Sequence, residues 1–272
     1  MKLYSSTLGQ LLKEMGETGK RLSELGAAEG AAGNISICTR EILDVEECFP
    51  KMATIDLPEP APDLAGATIL ITGSGRRLRE IAEDPTVSLA CVVVQEDGLK
   101  GRMFTAADCQ FKRVTSEFNS HLAVHHDQMR MRPVGLHAVL HAQPRHTTFL
   151  SHIPKYQDQR YFTTHLLRWQ PETIMNMPEG IGVLPFLLPG SRQLMIETML
   201  SMRDHRVVVW AQHGIIARAD GSLLHALDLV EYVETAANYE VLNLYTGETS
   251  SGIEPQHLRD IAEIWNVRQK VF

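Results

Sequence analysis

The segment "VSLACVVVQEDGLKGRMFTAA", residues 87–107, sets the tightest limit on the fold. Two strand-like runs are joined by "DGLK", a hairpin signal, so these neighbours pair antiparallel. Other apolar runs also end in polar turns. "ISICT" (35–39) and "GLHAVLHA" (135–142) read as strands, and "ATILITGSG" (67–75) as a buried strand entering a glycine turn. "RVVVWAQHGIIARA" (206–219) reads as a strand pair or one long bent strand, and "IGVLPFLLPGS" (181–191) as strand-like.

Helical periodicity separates these runs. Residues 6–25 form an amphipathic helix with Leu8, Leu11, Leu12, Met15, Leu22 and Leu25 along most of one stripe. "RRLREIAED" reads as a short helix. "TSEFNSHLAVHHDQM" starts another, which Thr115 or Ser116 can cap. Residues 146–177 are mostly helical with a break near Pro171, Ser191 can cap "RQLMIETMLSM", and 222–246 and 254–265 close the chain. Residues 40–66, rich in Pro and acid, are expected to be irregular. There is no internal repeat, low-complexity tract or clear linker. The expectation is a single α/β domain over residues 1–272, with a central mixed, mainly antiparallel sheet flanked by helices.

Composition narrows the class. A chain of 272 residues, 44% hydrophobic and 22% charged, can bury a real core. Its net charge of −7 is scattered and no basic block stands out, which argues against nucleic acid. No apolar run reaches membrane-spanning length, and "MKLYSSTLGQLLKEMGE" carries acid too early for a signal peptide. Cys38, Cys48, Cys91 and Cys109 lack CxxC spacing and read as reduced thiols. The expected location is the cytoplasm.

Five polar clusters lie at element ends, where loops present functional groups. Gly33-Asn34 follows a small-residue loop. In Thr72-Gly73-Ser74-Gly75, glycines let backbone N–H groups converge on an anion; a plain tight turn is the alternative. Thr115-Ser116-Glu117 opens a helix, where a phosphate is favoured and where an N-cap needs the same residues. His141 and Gln143, two apart at a strand end, share one face. Gln212-His213-Gly214 follows "VVVWA", and His213 could reach a metal shared with His141. His121, His125 and His126 lack an obvious partner acid and read as surface or packing residues.

In this order, "AAGNISI", "ILITGSGR", "VTSEFNSHL", "VLHAQP", "PETIMNMPEGIGVLPFLLPGS" and "VVVWAQHGII" resemble the class II aldolase/adducin superfamily, from about residue 8 to the C-terminus. "TGSG", "TSE" and "PEGIGVLPFLLPG" are most similar to its rhamnulose branch. The resemblance implies a three-layer fold, a homotetramer with active sites between subunits, and a divalent metal, with zinc preferred. The implied reaction cleaves L-rhamnulose 1-phosphate to dihydroxyacetone phosphate and L-lactaldehyde, in rhamnose catabolism. By the same resemblance, Asn34, Ser74, Gly75, Thr115 and Ser116 match the phosphate pocket. Glu117 matches the catalytic carboxylate, and Glu172 a second acid given by a neighbouring subunit. His141 and His213 match metal ligands, with Gln143 in place of a third. A polar phosphate contact of the family is Ala31 here.

Such chemistry needs these groups. Cleavage between C3 and C4 leaves charge on an enediolate, which a Lewis acid can take up. One acid/base moves the C3 proton, and another handles the aldehyde oxygen. Gln is a poorer zinc ligand than His. Three readings therefore stand: Gln143 ligates through its amide oxygen; His141, His213 and Glu117 or water hold the metal; or the site is metal-free. His146 is a further substitute ligand, though Pro144 turns the chain before it. An aldolase or epimerase acting on another sugar phosphate, and a metal-free adducin-like interaction module, remain the rival functions.

Overall fold

The hairpin at residues 87–107 is present, and it belongs to a much wider sheet in the computed structural model, which describes residues 6–272. The strands are β1 (Asn34–Thr39), β2 (Lys51–Asp56), β3 (Thr68–Thr72), β4 (Leu89–Val94), β5 (Lys100–Thr105), β6 (Leu136–Ala142), β7 (Gly182–Leu184), β8 (Val207–Trp210) and β9 (Gly214–Asp220). They lie side by side in the order β2-β5-β4-β3-β1-β6-β9-β8-β7. Every neighbouring pair is antiparallel except β7 with β8. The helices are α1 (Thr7–Glu24), α2 (Pro85–Ser88), α3 (Phe118–Met131), α4 (Arg145–Leu150), α5 (Gln159–Leu167), α6 (Pro171–Asn176), α7 (Arg192–Ser201), α8 (Leu223–Tyr245) and α9 (Pro255–Ile264).

Strand periodicity divides the side chains between two faces. Ile35 and Ile37 of β1 and Ala138 and Leu140 of β6 enter one core with Leu12 and Met15 of α1 and Val230 and Val233 of α8. The opposite face carries Cys38, Ile69 and Ile71 against Phe118 and Leu122 of α3, and Val139 and Ile216 against Val124 of α3 and Leu194 of α7. Helices therefore cover both faces of the sheet, in three layers. Asn34 and Ser36 of β1, and His137 and His141 of β6, alternate with the apolar residues of the first face, so they turn towards α3.

Several elements differ from expectation. Residues 40–66 are not irregular throughout, because Lys51–Asp56 form the edge strand β2. Its side chains are almost all exposed, so it lacks the apolar alternation that marks a half-buried strand. "RRLREIAED" makes only a 3₁₀ turn at Leu78–Glu80, which drops Leu78 and Ile81 into the core beside α1. Val87 and Ser88 belong to α2 rather than to the strand. In "IGVLPFLLPGS" only Gly182–Leu184 are extended in the sheet, ending where Pro185 removes a backbone donor. "RVVVWAQHGIIARA" is a strand pair. Neither Thr115 nor Ser116 is the cap residue of α3; Glu117 holds that position without a side-chain capping bond. The Thr115 hydroxyl instead accepts from the Glu117 N–H at 3.3 Å. Ser191 caps α7 as expected, accepting from Leu194 N–H at 3.1 Å.

Candidate active site

The first residue of β1, the last residues of β3 and β6, the β8–β9 turn and the start of α3 meet at one end of the sheet. They enclose a pocket of about 170 Å³, lined by residues 31–34, 72–76 and 115–117 with His141, Gln143 and His213. The topology explains the meeting. Asn34 pairs with His141 across β1 and β6, and β6 pairs with β9 immediately after His213. Gly214 permits this approach, because a Cβ there would lie 2.4 Å from the Ala142 carbonyl oxygen.

Glu117, His141 and His213 converge. One ligand atom from each lies within 4.8 Å of the others. His141 Nε2 is 3.7 Å from Glu117 Oε2, and His213 Nε2 is 3.5 Å from Glu117 Oε1. His141 Nδ1 donates to the Ile215 carbonyl at 2.9 Å, which leaves the Nε2 lone pair facing the carboxylate in the neutral ring. Among the described residues neither ring nitrogen of His213 has a hydrogen-bond partner, and its Nδ1 is buried. Burial, and then the neighbouring His141, push the His213 pKa down to about 4 against the pull of Glu117. The ring is therefore neutral near pH 7 and has a lone pair to give. Trp210 supports both imidazoles, its ring centroid 4.6 Å from that of His141 and 5.1 Å from that of His213. Two imidazole nitrogens and a carboxylate around a common point, with pocket space beside them, fit a divalent cation.

Glu117 itself is only 5% exposed. Burial alone would raise its pKa, but the neighbouring His141 imidazole, a hydrogen bond from Asn34 and the His213 imidazole outweigh that and lower it. The Asn34 amide donates to Glu117 Oε2 at 2.7 Å. Asn34 thus lines the expected phosphate pocket while its side chain is committed to the carboxylate.

Ser74, Gly75, Thr115 and Ser116 line the same pocket. The expected convergence of backbone donors is only partial. Gly73 N–H donates to Ser88, Ser74 N–H to Arg113 and Thr115 N–H to Thr72, so these three are already spent on carbonyls. The hydroxyls and the αL turn at Gly75 remain. Arg76, which sequence reasoning missed, also lines the pocket. Glu80 and Gln110 hold its guanidinium at 2.8 and 2.7 Å, and its Nε is buried without a partner among the described residues. A cation directly after "TGSG" was the available signal.

Gln143 lines the pocket beside the two histidines, and Ala31 lines it too. Glu172 is not brought here; it is exposed in the first turn of α6. His146 is engaged elsewhere, its Nδ1 2.8 Å from Glu234. The reading of His121, His125 and His126 is corrected in part. His121 and His125 are fully buried in hydrogen bonds behind the pocket, and His126 pairs with Asp63 at 2.9 Å.

A family profile described as "Class II Aldolase and Adducin N-terminal domain" matches residues 13–241. The chain belongs to this family. Rhamnulose-1-phosphate aldolase of Listeria welshimeri is 30% identical over 272 residues, covering 98% of this chain and 96% of the relative. The enzyme of the same name from Listeria monocytogenes serotype 4a is 28% identical over 264 residues, covering 95% of this chain and 94% of the relative. Among solved structures, a sugar-phosphate aldolase from Thermotoga maritima matches with TM-score 0.78 and 25% identity, covering 91% of this chain and 100% of that one. The three-layer sheet is the fold of these class II aldolases. Among the described residues, no helix is long and apolar enough to cross a membrane, and all four cysteines are free.

Proposed function

We propose that this protein is a metal-dependent aldolase of rhamnose catabolism, cleaving L-rhamnulose 1-phosphate to dihydroxyacetone phosphate and L-lactaldehyde. The observation that carries this reading is the convergence of Glu117, His141 and His213 beside a pocket lined by hydroxyls and Arg76. Relatives named rhamnulose-1-phosphate aldolase, similar over nearly the whole chain, support the substrate. His141 and His213, with one carboxylate oxygen of Glu117, would hold the cation, Zn²⁺ being suited to a His₂Glu set, and Gln143, which lines the same pocket, is a candidate further oxygen donor. A divalent cation there supplies Lewis-acid withdrawal of charge from substrate oxygens.

The remaining work belongs to side chains. Ser74, Thr115 and Ser116 donate hydroxyl hydrogens to the phosphate, and Arg76 offers it a positive charge. Gly75 lets the chain turn closely around it. This anchoring sets the reacting carbon in place. Glu117 is the only carboxylate among the described residues lining the pocket, so it moves the proton on C3 of dihydroxyacetone phosphate. Glu172 supplies the second acid from a neighbouring subunit of a homotetramer in the cytoplasm. Gln143 and Ala31 are the departures that favour the second reading, a different sugar phosphate on the same machinery.

Solvent-deuterium incorporation into dihydroxyacetone phosphate tests the proposal without an aldehyde partner. The zinc-loaded protein should catalyse exchange, and Glu117→Gln should lose at least about 10²-fold, as expected for a general base. Exchange that persists undiminished in Glu117→Gln removes Glu117 as the base. No exchange, and no cleavage of any ketose 1-phosphate in a panel, favours an interaction module instead.

A further inference from the structure

Behind the pocket, on the α3 side of the sheet, five hydrogen bonds run in series through buried groups. Asn34 Nδ2 meets Glu117 Oε2 at 2.7 Å, and Asn34 Oδ1 meets His121 Nε2 at 2.5 Å. His121 Nδ1 meets Ser36 Oγ at 2.6 Å, and Ser36 Oγ meets His125 Nε2 at 2.7 Å. His125 Nδ1 meets His137 Nδ1 at 2.7 Å. The four residues beyond Asn34 are wholly buried. Local geometry builds the series: Asn34 and Ser36 are two apart on β1, and His121 and His125 four apart on α3, so each pair shares a face.

The direction of every bond follows from its first member. An ionised carboxylate only accepts, so the Asn34 amide donates and its oxygen turns to His121. That oxygen only accepts, so His121 carries its proton on Nε2. A neutral ring then accepts at Nδ1, and the Ser36 hydroxyl donates to it. The same hydroxyl accepts from His125 Nε2–H, and His125 Nδ1 accepts from His137 Nδ1–H. The series ends at His137 Nε2, a buried lone pair with no partner among the described residues. Burial favours the neutral rings this requires. It pushes His121 down to about 3, aided by His125, and it pushes His125 and His137 well below their ordinary value.

Reversal of the series would turn the Asn34 oxygen against the carboxylate, two acceptors with no hydrogen between them. We propose that Ser36, His121, His125 and His137 are positioning residues whose one-way hydrogen bonds lock the Asn34 amide and thereby orient Glu117. An apolar filling of the same space would avoid the burial of four polar side chains; hydrogen-bonded to one another in series, these side chains instead rigidify the wall behind Glu117. The catalytic consequence rests on the aldolase reading; the hydrogen-bond pattern does not.

The test uses the full-length protein labelled with ¹⁵N in its histidine rings. At pH 7, ring-nitrogen shifts should report neutral Nε2–H tautomers for His121 and His125 and a neutral Nδ1–H tautomer for His137. Any of the three found charged or in the other tautomer overturns the relay. Ser36→Ala removes the donor to His121 Nδ1. It should shift the His121 tautomer balance and cut kcat for deuterium exchange about 10- to 100-fold, the scale of a misplaced catalytic group, with KM changed less than about 2-fold. Ser36→Thr, which keeps the hydroxyl, should recover both readouts. Unchanged kcat and tautomer in Ser36→Ala overturn the positioning role, as does a loss in KM alone. If the unaltered zinc-loaded protein catalyses no exchange, the aldolase reading fails separately, and the tautomers and their response to Ser36→Ala still decide the relay.

Discussion

His141 Nδ1 lies 2.9 Å from the carbonyl oxygen of Ile215, and this bond to β9 decides which ring nitrogen faces Glu117. His213, on the turn that leads into β9, presents Nε2 to the other carboxylate oxygen. Neither histidine can be spared from a donor set of three. Replacing His141 or His213 with Ala should abolish stoichiometric metal in the purified protein, measured by elemental analysis after dialysis. Metal retained by both variants would place the site elsewhere. Gln143→His should tighten Zn²⁺ binding if residue 143 faces the same point, and unchanged affinity would put it outside the ligand set.

Ser116 borders the pocket at the start of α3. Ser116→Ala should raise KM for a phosphorylated ketose by an amount equivalent to about 1–2 kcal/mol, a lost charge-assisted hydrogen bond. The unphosphorylated ketose should be unaffected. Steady-state kinetics on both substrates separates an anion contact from general damage to the site, which would impair them equally.

Glu172 is exposed on α6 and outside its own chain's pocket. If a neighbouring copy receives it, Glu117→Gln and Glu172→Gln each inactivate, but on different sides of a shared site. Unfolding and refolding the two inactive variants together should restore activity, since some sites then combine an intact Glu117 with an intact Glu172. Mixtures that stay inactive while assembling normally would assign Glu172 no role in a shared site.

Three buried histidines give stability a defined pH dependence. His121, His125 and His137 have folded values below the ordinary 6.5, so they are neutral in the fold and gain protons on unfolding in acid. Their contribution is therefore complete above pH 6.5 and is lost as pH falls towards about 3, the His121 value. Each proton taken up corresponds to about 1.4 kcal/mol per pH unit, so near pH 5 the three together approach about 4 kcal/mol per unit. Denaturant midpoints measured from pH 7 to pH 5 should fall steeply, and less steeply in His137→Phe. A flat profile over that range would show that these rings are not held neutral.

Much of this was legible in the chain. The 87–107 hairpin announced antiparallel pairing, and the motifs around Ser74, Thr115, Glu117, His141 and His213 pointed to residues that do share one pocket. The edge strand β2 was hidden because nearly all its side chains are exposed and only Ile55 packs against the core. Of the two readings for His121 and His125, packing holds and surface does not. Their hydrogen-bonding role is hidden in the sequence because their partner is no acid but the neutral hydroxyl of Ser36 on another element. His137 lies four residues before His141 on the same strand face, a spacing visible in the sequence once β6 is known to face α3 there. Arg76 escaped notice because a cation after a glycine turn is also common on a solvated surface.

The long-range bonds around the pocket also govern when it can exist. Asn34 reaches Glu117 across 83 residues, and the His141 ring reaches Ile215 across 74. Loops of that length close late and slowly, because their entropy is lost before the contacts repay it. A nascent chain released only as far as β6 has one of the two histidines and no β9 carbonyl to orient it. The cluster of Glu117, His141 and His213 is thus a product of folding rather than its nucleus. Added metal should deepen the native well by mass action and slow unfolding, while leaving the rate of folding nearly unchanged.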